Sequence, residues 1–217
     1  MLRGAIYAAF TLQAFIFSAA AYACEGQVGQ VIYEDTFADD SGAWDFTPNA
    51  ATVKPPNFVF SLDTKYSNIN SQVLTFHMPK DGDYCAEVML PKSIAPDNRY
   101  SIGVVFWATD YANFFMAMLT SDGTITLFSK ANNVWQTILS ITSSPAFKPE
   151  PDAVNALRVT TIGGKISIYL NGQLAKAIRA QSPDGNLRFG MYGQVDKGVD
   201  GSAPILVKSY KVTSGQQ

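Results

Sequence analysis

The chain has 217 residues, 47% hydrophobic and 12% aromatic, which supplies ample core material and excludes an intrinsically disordered protein. Sixteen basic and eighteen acidic residues leave a formal net charge of −2, with both signs scattered and no Lys/Arg run, so a nucleic-acid partner is not expected. Two cysteines and one histidine are too few for a zinc site, and a Cys–His nucleophile would have only His77 to draw on.

In chain order, residues 1–23 read as a signal peptide. Arg3 supplies the positive start, Ala5 to Ala20 is apolar, and Ala21-Tyr22-Ala23 is an A-x-A cleavage site. The apolar stretch is nearly long enough to span a bilayer. The cleavage site nevertheless favours removal over an uncleaved anchor, and Ala21 and Tyr22 fit a lipoprotein signal poorly although Cys24 follows. The expectation is a secreted or periplasmic chain, 24–217, with no membrane association after cleavage. In that compartment Cys24 and Cys85 most simply form a disulfide, worth roughly 4 kcal/mol in the chain-entropy account for a loop of that size. Two unpaired thiols, or a modified Cys24, remain the alternatives.

After a polar stretch from Glu25 to Gln30, short strand patterns recur between turn signals: Asp39 to Gly42, Asp81-Gly82, Pro96 to Asn98, Asp122-Gly123, Gly163-Gly164, Asn171-Gly172 and Pro183 to Gly185. That rhythm marks a sandwich or barrel. Ser144 to Asp152 is a proline-rich loop, Lys197 to Ala203 a Gly/Asp-rich one, and Ser214 to Gln217 a tail. Period-two alternation assigns faces. It turns Leu157 and Val159, Ile166, Ile168 and Leu170, and Leu187, Phe189 and Met191 inward. It turns Arg158 and Thr160, Ser167 and Tyr169, and Arg188, Tyr192 and Gln194 outward. Ser101 to Asp110 is apolar on both faces, with Ile102, Val104 and Phe106 on one and Val105 and Trp107 on the other, as a central strand should be.

Several phrases carry a family resemblance. Asn155 to Gly172 is "strand, Gly-Gly turn, strand, Asn-Gly". Tyr33 to Phe37 followed by Trp44 to Phe46 is an opening pair, Ser101 to Phe115 a "strand, Asp, Asn, aromatic" phrase, Leu187 to Gly193 a Gly-rich strand, and Ile205 to Val212 a closing strand. Together, over roughly Val31 to Thr213, they resemble the concanavalin A-like lectin/glucanase superfamily, in its laminin-G-like and 3-keto-disaccharide-hydrolase-like branches. The resemblance implies an all-β chain: a two-sheet antiparallel jelly-roll sandwich, here preceded by the signal-peptide helix. It does not settle function, because this fold hosts lectins, hydrolases and adhesive modules alike.

Three constellations could carry chemistry. The first is Trp107, Tyr111, Arg158, Tyr169, Arg188 and Tyr192. Sugar rings have apolar faces ringed by hydroxyls, which aromatic rings cover and Arg, Asn or Gln bind. The plainer reading is that Tyr and Arg simply cover the outside of a sheet, with Trp107 in the core or covering a loop. The second is Glu87 and Asp83, which share a face with Cys85, together with His77, as acid–base candidates. A solvated face or an ion pair is the plainer explanation of the carboxylates, and the Glu-x-Asp-x-Glu strand of laminarinase-like enzymes is absent. The third is Asp39, Asp40, Asp45, Asp196 and Asp200, whose hard oxygens suit a structural calcium ion, although loop Asp is ordinary turn chemistry. No other cofactor is expected. The reading is therefore an exported non-catalytic module with a glycan or polysaccharide partner. A saccharide-active enzyme such as a glycoside hydrolase is the first alternative. A structural envelope module with a protein partner is the second.

Overall fold

Alternating apolar and polar residues, interrupted every few positions by Gly, Asn, Asp or Pro, build strands and, among the described residues, no helix. The computed structural model describes residues 24, 26–63, 67–92, 99–150, 152–196 and 203–215. The expected signal peptide and Asp200 lie outside them. In chain order the strands are β1 (Val31–Asp35), β2 (Trp44–Asp45), β3 (Ala51–Lys54), β4 (Asn57–Phe60), β5 (Asn68–Met78), β6 (Asp83–Met89), β7 (Tyr100–Ala108), β8 (Phe114–Thr120), β9 (Ile125–Ala131), β10 (Val134–Ile141), β11 (Asn155–Ile162), β12 (Lys165–Leu170), β13 (Gln173–Arg179), β14 (Leu187–Val195) and β15 (Ile205–Thr213).

These strands form two antiparallel sheets. One runs β13-β12-β11-β6-β15-β4-β3, with β1 added beside β15, and the other runs β10-β9-β8-β7-β14-β5-β2. The chain changes sheet from β5 to β6 to β7, and again from β13 to β14 to β15, which makes the sandwich a jelly roll. Local hairpins follow the turn chemistry: Gly163-Gly164 and Asn171-Gly172 all have positive φ, as two-residue turns between twisted strands require.

The core lies between the sheets. Leu157, Val159, Ile166, Ile168 and Leu170 from one face meet Leu187, Phe189 and Met191 from the other. Phe189 stacks on Tyr210 with ring centroids 6.0 Å apart, and the Tyr210 hydroxyl donates across the sandwich to the Gly190 carbonyl at 3.0 Å. The opening phrase works as a clasp. Asp35 accepts from the Tyr33 hydroxyl, the Phe37 amide and the Trp44 indole at 2.9, 2.7 and 3.1 Å.

At Gly193 the two sheets approach closely, since a Cβ there would sit 2.6 Å from the Phe60 ring. Gly193→Ala is therefore expected to destabilise the fold by about 1–3 kcal/mol through overpacking. A urea melt within about 0.5 kcal/mol of the parent would show that Phe60 moves aside freely.

One expectation is corrected here. Trp107 does not share the outer face with Val105. Its φ is +48°, and the β7–β14 register slips between Arg188 and Gly190, so Trp107 turns inward beside Phe106. It is 1% exposed, and its indole donates to the Lys80 carbonyl at 2.8 Å. An extra residue at a bulge breaks the period-two rule that placed it outside. The remainder of β7 agrees with the sequence reading, being wholly buried and the fourth of seven strands.

The expected disulfide joins Cys24 to Cys85. It starts a strap across the outer face of the β6-containing sheet, where Gln27 donates to the carbonyls of Asp83 and Lys211 and Thr213 donates to the Val28 carbonyl.

Candidate functional site

Register decides which side chains can meet. Strand partners share a face, so the outer face of the β7-containing sheet carries Asp45 and Gln72, Asn70 beside Tyr192, and Asn68 beside Gln194. It continues with Val105 and Met116, then Met118, Phe128, Lys130 and Trp135. Strands β10 and β14 are four places apart, which in a flat sheet would separate them by roughly 19 Å. Yet the Trp135 and Tyr192 rings lie 5.7 Å apart, and Trp135 also meets Phe114 and Phe128 edge-to-face at 5.4 and 5.8 Å. The sheet therefore curls toward this side, and the face is concave.

One half of the concavity is apolar. Val105, Ala108, Phe114, Met116, Met118 and Tyr192 form a second cluster, separate from the main core, with Phe128 packed on it. Trp135 stands above it 42% exposed, and the Lys130 ammonium lies over its ring at 5.4 Å. Lys130 also donates to the Tyr111 carbonyl at 3.1 Å, which ties this half to the loop from Asp110 to Asn113.

The other half is polar. The Tyr111 hydroxyl donates to Asp45 at 2.6 Å, and the Gln72 amide donates to the Asp110 carbonyl at 3.3 Å. Burial, then the hydrogen bond and charge of Asp45, push the Tyr111 phenol well up, against the pull of Arg188. The Asn113 side chain, chiefly, holds the Asp110 carboxyl below its ordinary value, with Arg188 contributing. Burial alone raises Tyr192 to about 12, so its hydroxyl stays a donor at neutral pH. Gln72 Oε1, both amide atoms of Asn70 and Arg188 Nε are buried without a hydrogen-bond partner among the described residues. Leaving such atoms unpaired costs about 1–3 kcal/mol each.

The six aromatic and Arg candidates thus divide. Tyr111, Arg188 and Tyr192 converge on the concave face, and Trp107 is in the core. Arg158 and Tyr169 face outward from the opposite sheet, where the guanidinium lies 5.2 Å from the Tyr169 ring and pairs with Asp83. Equal alternation in two strands says nothing of which sheet each joins.

Asp83 and Glu87 share that opposite face. Asp83 is fully buried under Arg158, and Glu87 accepts from Ser209 at 2.8 Å. His77 is exposed near the end of β5, in the other sheet. A groove of about 810 Å³ runs beside Glu87, walled by Cys24, Glu34, Lys208 and Lys211, with Lys211 and Glu34 paired at 3.5 Å.

Among the loop aspartates, Asp45 is engaged by Tyr111, Asp196 by Arg99 at 2.9 Å, and Asp40 by the Gly42 amide, while Asp39 is exposed. Among the described residues no group of three or more His, Cys, Asp or Glu side chains is placed to hold a metal ion. The outward positions of β7 are Ser101, Gly103 and Val105, so the middle of the concave sheet presents no carboxylate there.

The sequence reading missed Trp135, Phe128, Asn70 and Gln72 as site residues. Trp135 was within reach, since it alternates with Thr137 on an amphipathic strand. Asn70 and Gln72 became meaningful only once β5 was seen to lie beside β14.

No protein-family profile matches the chain, and no curated protein matches it in sequence. Its backbone does match solved structures. The carbohydrate-binding module CBM66 from Bacillus subtilis superposes with a TM-score of 0.60 at 13% identity, covering 79% of this chain and 96% of that one. The carbohydrate recognition domain of Emp47p does so at 0.67 and 12%, covering 86% and 98%. The catalytic domain of an endo-1,3-beta-glucanase (laminarinase) from Thermotoga petrophila RKU-1 does so at 0.61 and 10%, covering 88% and 100%. The chain has the concanavalin A-like jelly-roll fold that these proteins share, and at such identities the likeness is one of fold.

Proposed function

We propose that this chain is an exported, non-catalytic carbohydrate-binding module whose sugar site is the concave face of the β7-containing sheet. The observation that carries the reading is the polar half of the concave face, where the half-buried side chains of Asn70 and Arg188 stand beside Tyr192 and Tyr111 on one curved surface. A sugar ring supplies both complements, hydroxyls that donate and accept and an apolar face that lies against a ring. Structural neighbours that are themselves a carbohydrate-binding module and a carbohydrate recognition domain support the class of ligand. The outward row Ser101, Gly103 and Val105 supports binding without hydrolysis, because hydrolysis ordinarily uses two carboxyl groups flanking the bond. The disulfide supports export, since such bonds persist in oxidising compartments.

A glycan array and polysaccharide pull-down test this reading. Arg188→Ala is expected to weaken retention about 10-fold or more, the loss of hydrogen bonds to a charged donor. Tyr192→Ala is expected to weaken it as well, whereas Tyr169→Ala on the opposite sheet should leave it unchanged. Retention should survive a calcium chelator, because Asp45 and Asp196 already serve Tyr111 and Arg99. Silence across the panel would sink the sugar reading. Shortened sugars in the supernatant would sink the non-catalytic part alone.

A further inference from the structure

We infer that the sugar recognised here carries a hydrocarbon substituent, an acyl or alkyl chain, which lies across the apolar half of the concavity. This rests on the sugar-binding reading above. The two halves differ in kind. The polar half offers the half-buried amide of Asn70 and guanidinium of Arg188. The apolar half holds a depression of about 430 Å³ lined by Met116, Met118, Phe128 and Trp135 and also by the polar Ser67, Asn68, Gln194 and Asp196.

Met116, Met118 and Phe128 have no strong hydrogen-bonding group. A sugar ring laid over them would surrender its hydroxyls' water without replacement, which is unfavourable. A hydrocarbon chain loses nothing there and gains contact. The lining also suits a chain better than a ring. Two flexible thioethers adapt to an irregular apolar shape. Trp135 meets Phe114, Phe128 and Tyr192 at interplanar angles of 86°, 81° and 74°, with the Lys130 ammonium 5.4 Å from the centre of its ring. Together these form a trough of ring edges and thioethers with a charged rim. The Tyr192 ring joins the halves: it belongs to the apolar cluster, and its strand partner is Asn70.

Methyl, butyl, hexyl and octyl β-D-glucosides, galactosides and mannosides, each below its micelle concentration, test this on the full chain by calorimetry and tryptophan fluorescence. Trp44 and Trp107 are 5% and 1% exposed, so a ligand-dependent change reports Trp135, the exposed member of the three tryptophans. For the sugar that binds, affinity should rise about two- to four-fold per added methylene until the trough is full. Met118→Gln should flatten that rise, lowering octyl affinity more than methyl. Phe128→Thr, a β-favouring change at a half-buried position, should do the same and guards against Met118→Gln failing to fold. Phosphatidylcholine vesicles with and without a glycosyl diacylglycerol separate the two sources of such a sugar. Retention on the glycolipid vesicles assigns it to a membrane, and the soluble alkyl glycoside alone assigns it to an acylated polymer.

Affinity independent of chain length would overturn the inference and leave the sugar site standing. An equal rise for simple alkanols, with no dependence on the sugar, would overturn both. Failure of every alkyl glycoside would overturn the inference, while the glycan array decides the sugar reading separately.

Discussion

Arg158→Ala is expected to cost the fold about 3–5 kcal/mol, the largest single-residue loss predicted for this chain, because it leaves a buried carboxylate unpaired. Asp83 has a fully buried side chain, and Arg158 grips both of its oxygens, with Nε at 2.8 Å from Oδ1 and a terminal nitrogen at 2.5 Å from Oδ2. The same nitrogen donates to the Gly26 carbonyl at 2.8 Å, so the guanidinium also pins the N-terminal strap. After truncation the carboxylate keeps a side-chain hydrogen bond from Gln27 at 3.2 Å. Removing both charges together, Arg158→Met with Asp83→Leu, should recover most of the loss, since an apolar pair of similar volume avoids the desolvation penalty. Urea unfolding of both variants measures this. A loss below about 1 kcal/mol for Arg158→Ala would mean that water reaches Asp83 and that the pair behaves as a surface ion pair. Sugar binding should persist in every variant that folds, because this cluster lies on the sheet opposite the concave face.

The second large effect concerns the disulfide. Replacing Cys24 and Cys85 by serine is expected to destabilise the chain by about 4 kcal/mol in the chain-entropy account, for a separation of 61 residues. The strap retains its hydrogen bonds to Asp83, Lys211 and Thr213, so the serine variant should still fold, with its strap open to proteolysis near Gly26. The losses from the serine variant and from Arg158→Ala should not add, because both act on the same strap. Stability unchanged on reduction would show that the strap is held by its hydrogen bonds alone.

Much of the architecture was legible beforehand. The Gly163-Gly164 and Asn171-Gly172 turns, the inward rows of β11, β12 and β14, and the two-sided apolarity of β7 all follow from local rules. A turn's φ is set by two residues, and a side chain's face by the parity of its position. Export chemistry pointed to the cysteine pair in the same way, with no geometry needed. Parity holds only while the strand is regular. It failed at Trp107, where one extra residue at a bulge turned an outward ring inward.

The site was less legible because it is assembled from distant segments. Arg158 and Tyr169 read much like Arg188 and Tyr192: a cation and a phenol on outward rows, the first pair across a hairpin and the second along one strand. Their separation onto opposite sheets comes from the crossover between β13 and β14, which no local pattern encodes. Curvature is likewise collective. Trp135 touches Tyr192 because the sheet curves toward that side over the four strand steps between them.

From the sequence alone came the main turns, the inward rows of β11, β12 and β14 and the disulfide pair, since those depend on residue chemistry and local spacing. The tertiary structure alone decided which outward rows share a surface, that the surface is concave, and that Asn70, Gln72 and Arg188 hold atoms no other described residue satisfies. Those properties belong to strand order and sheet twist, which are set by packing the whole chain at once.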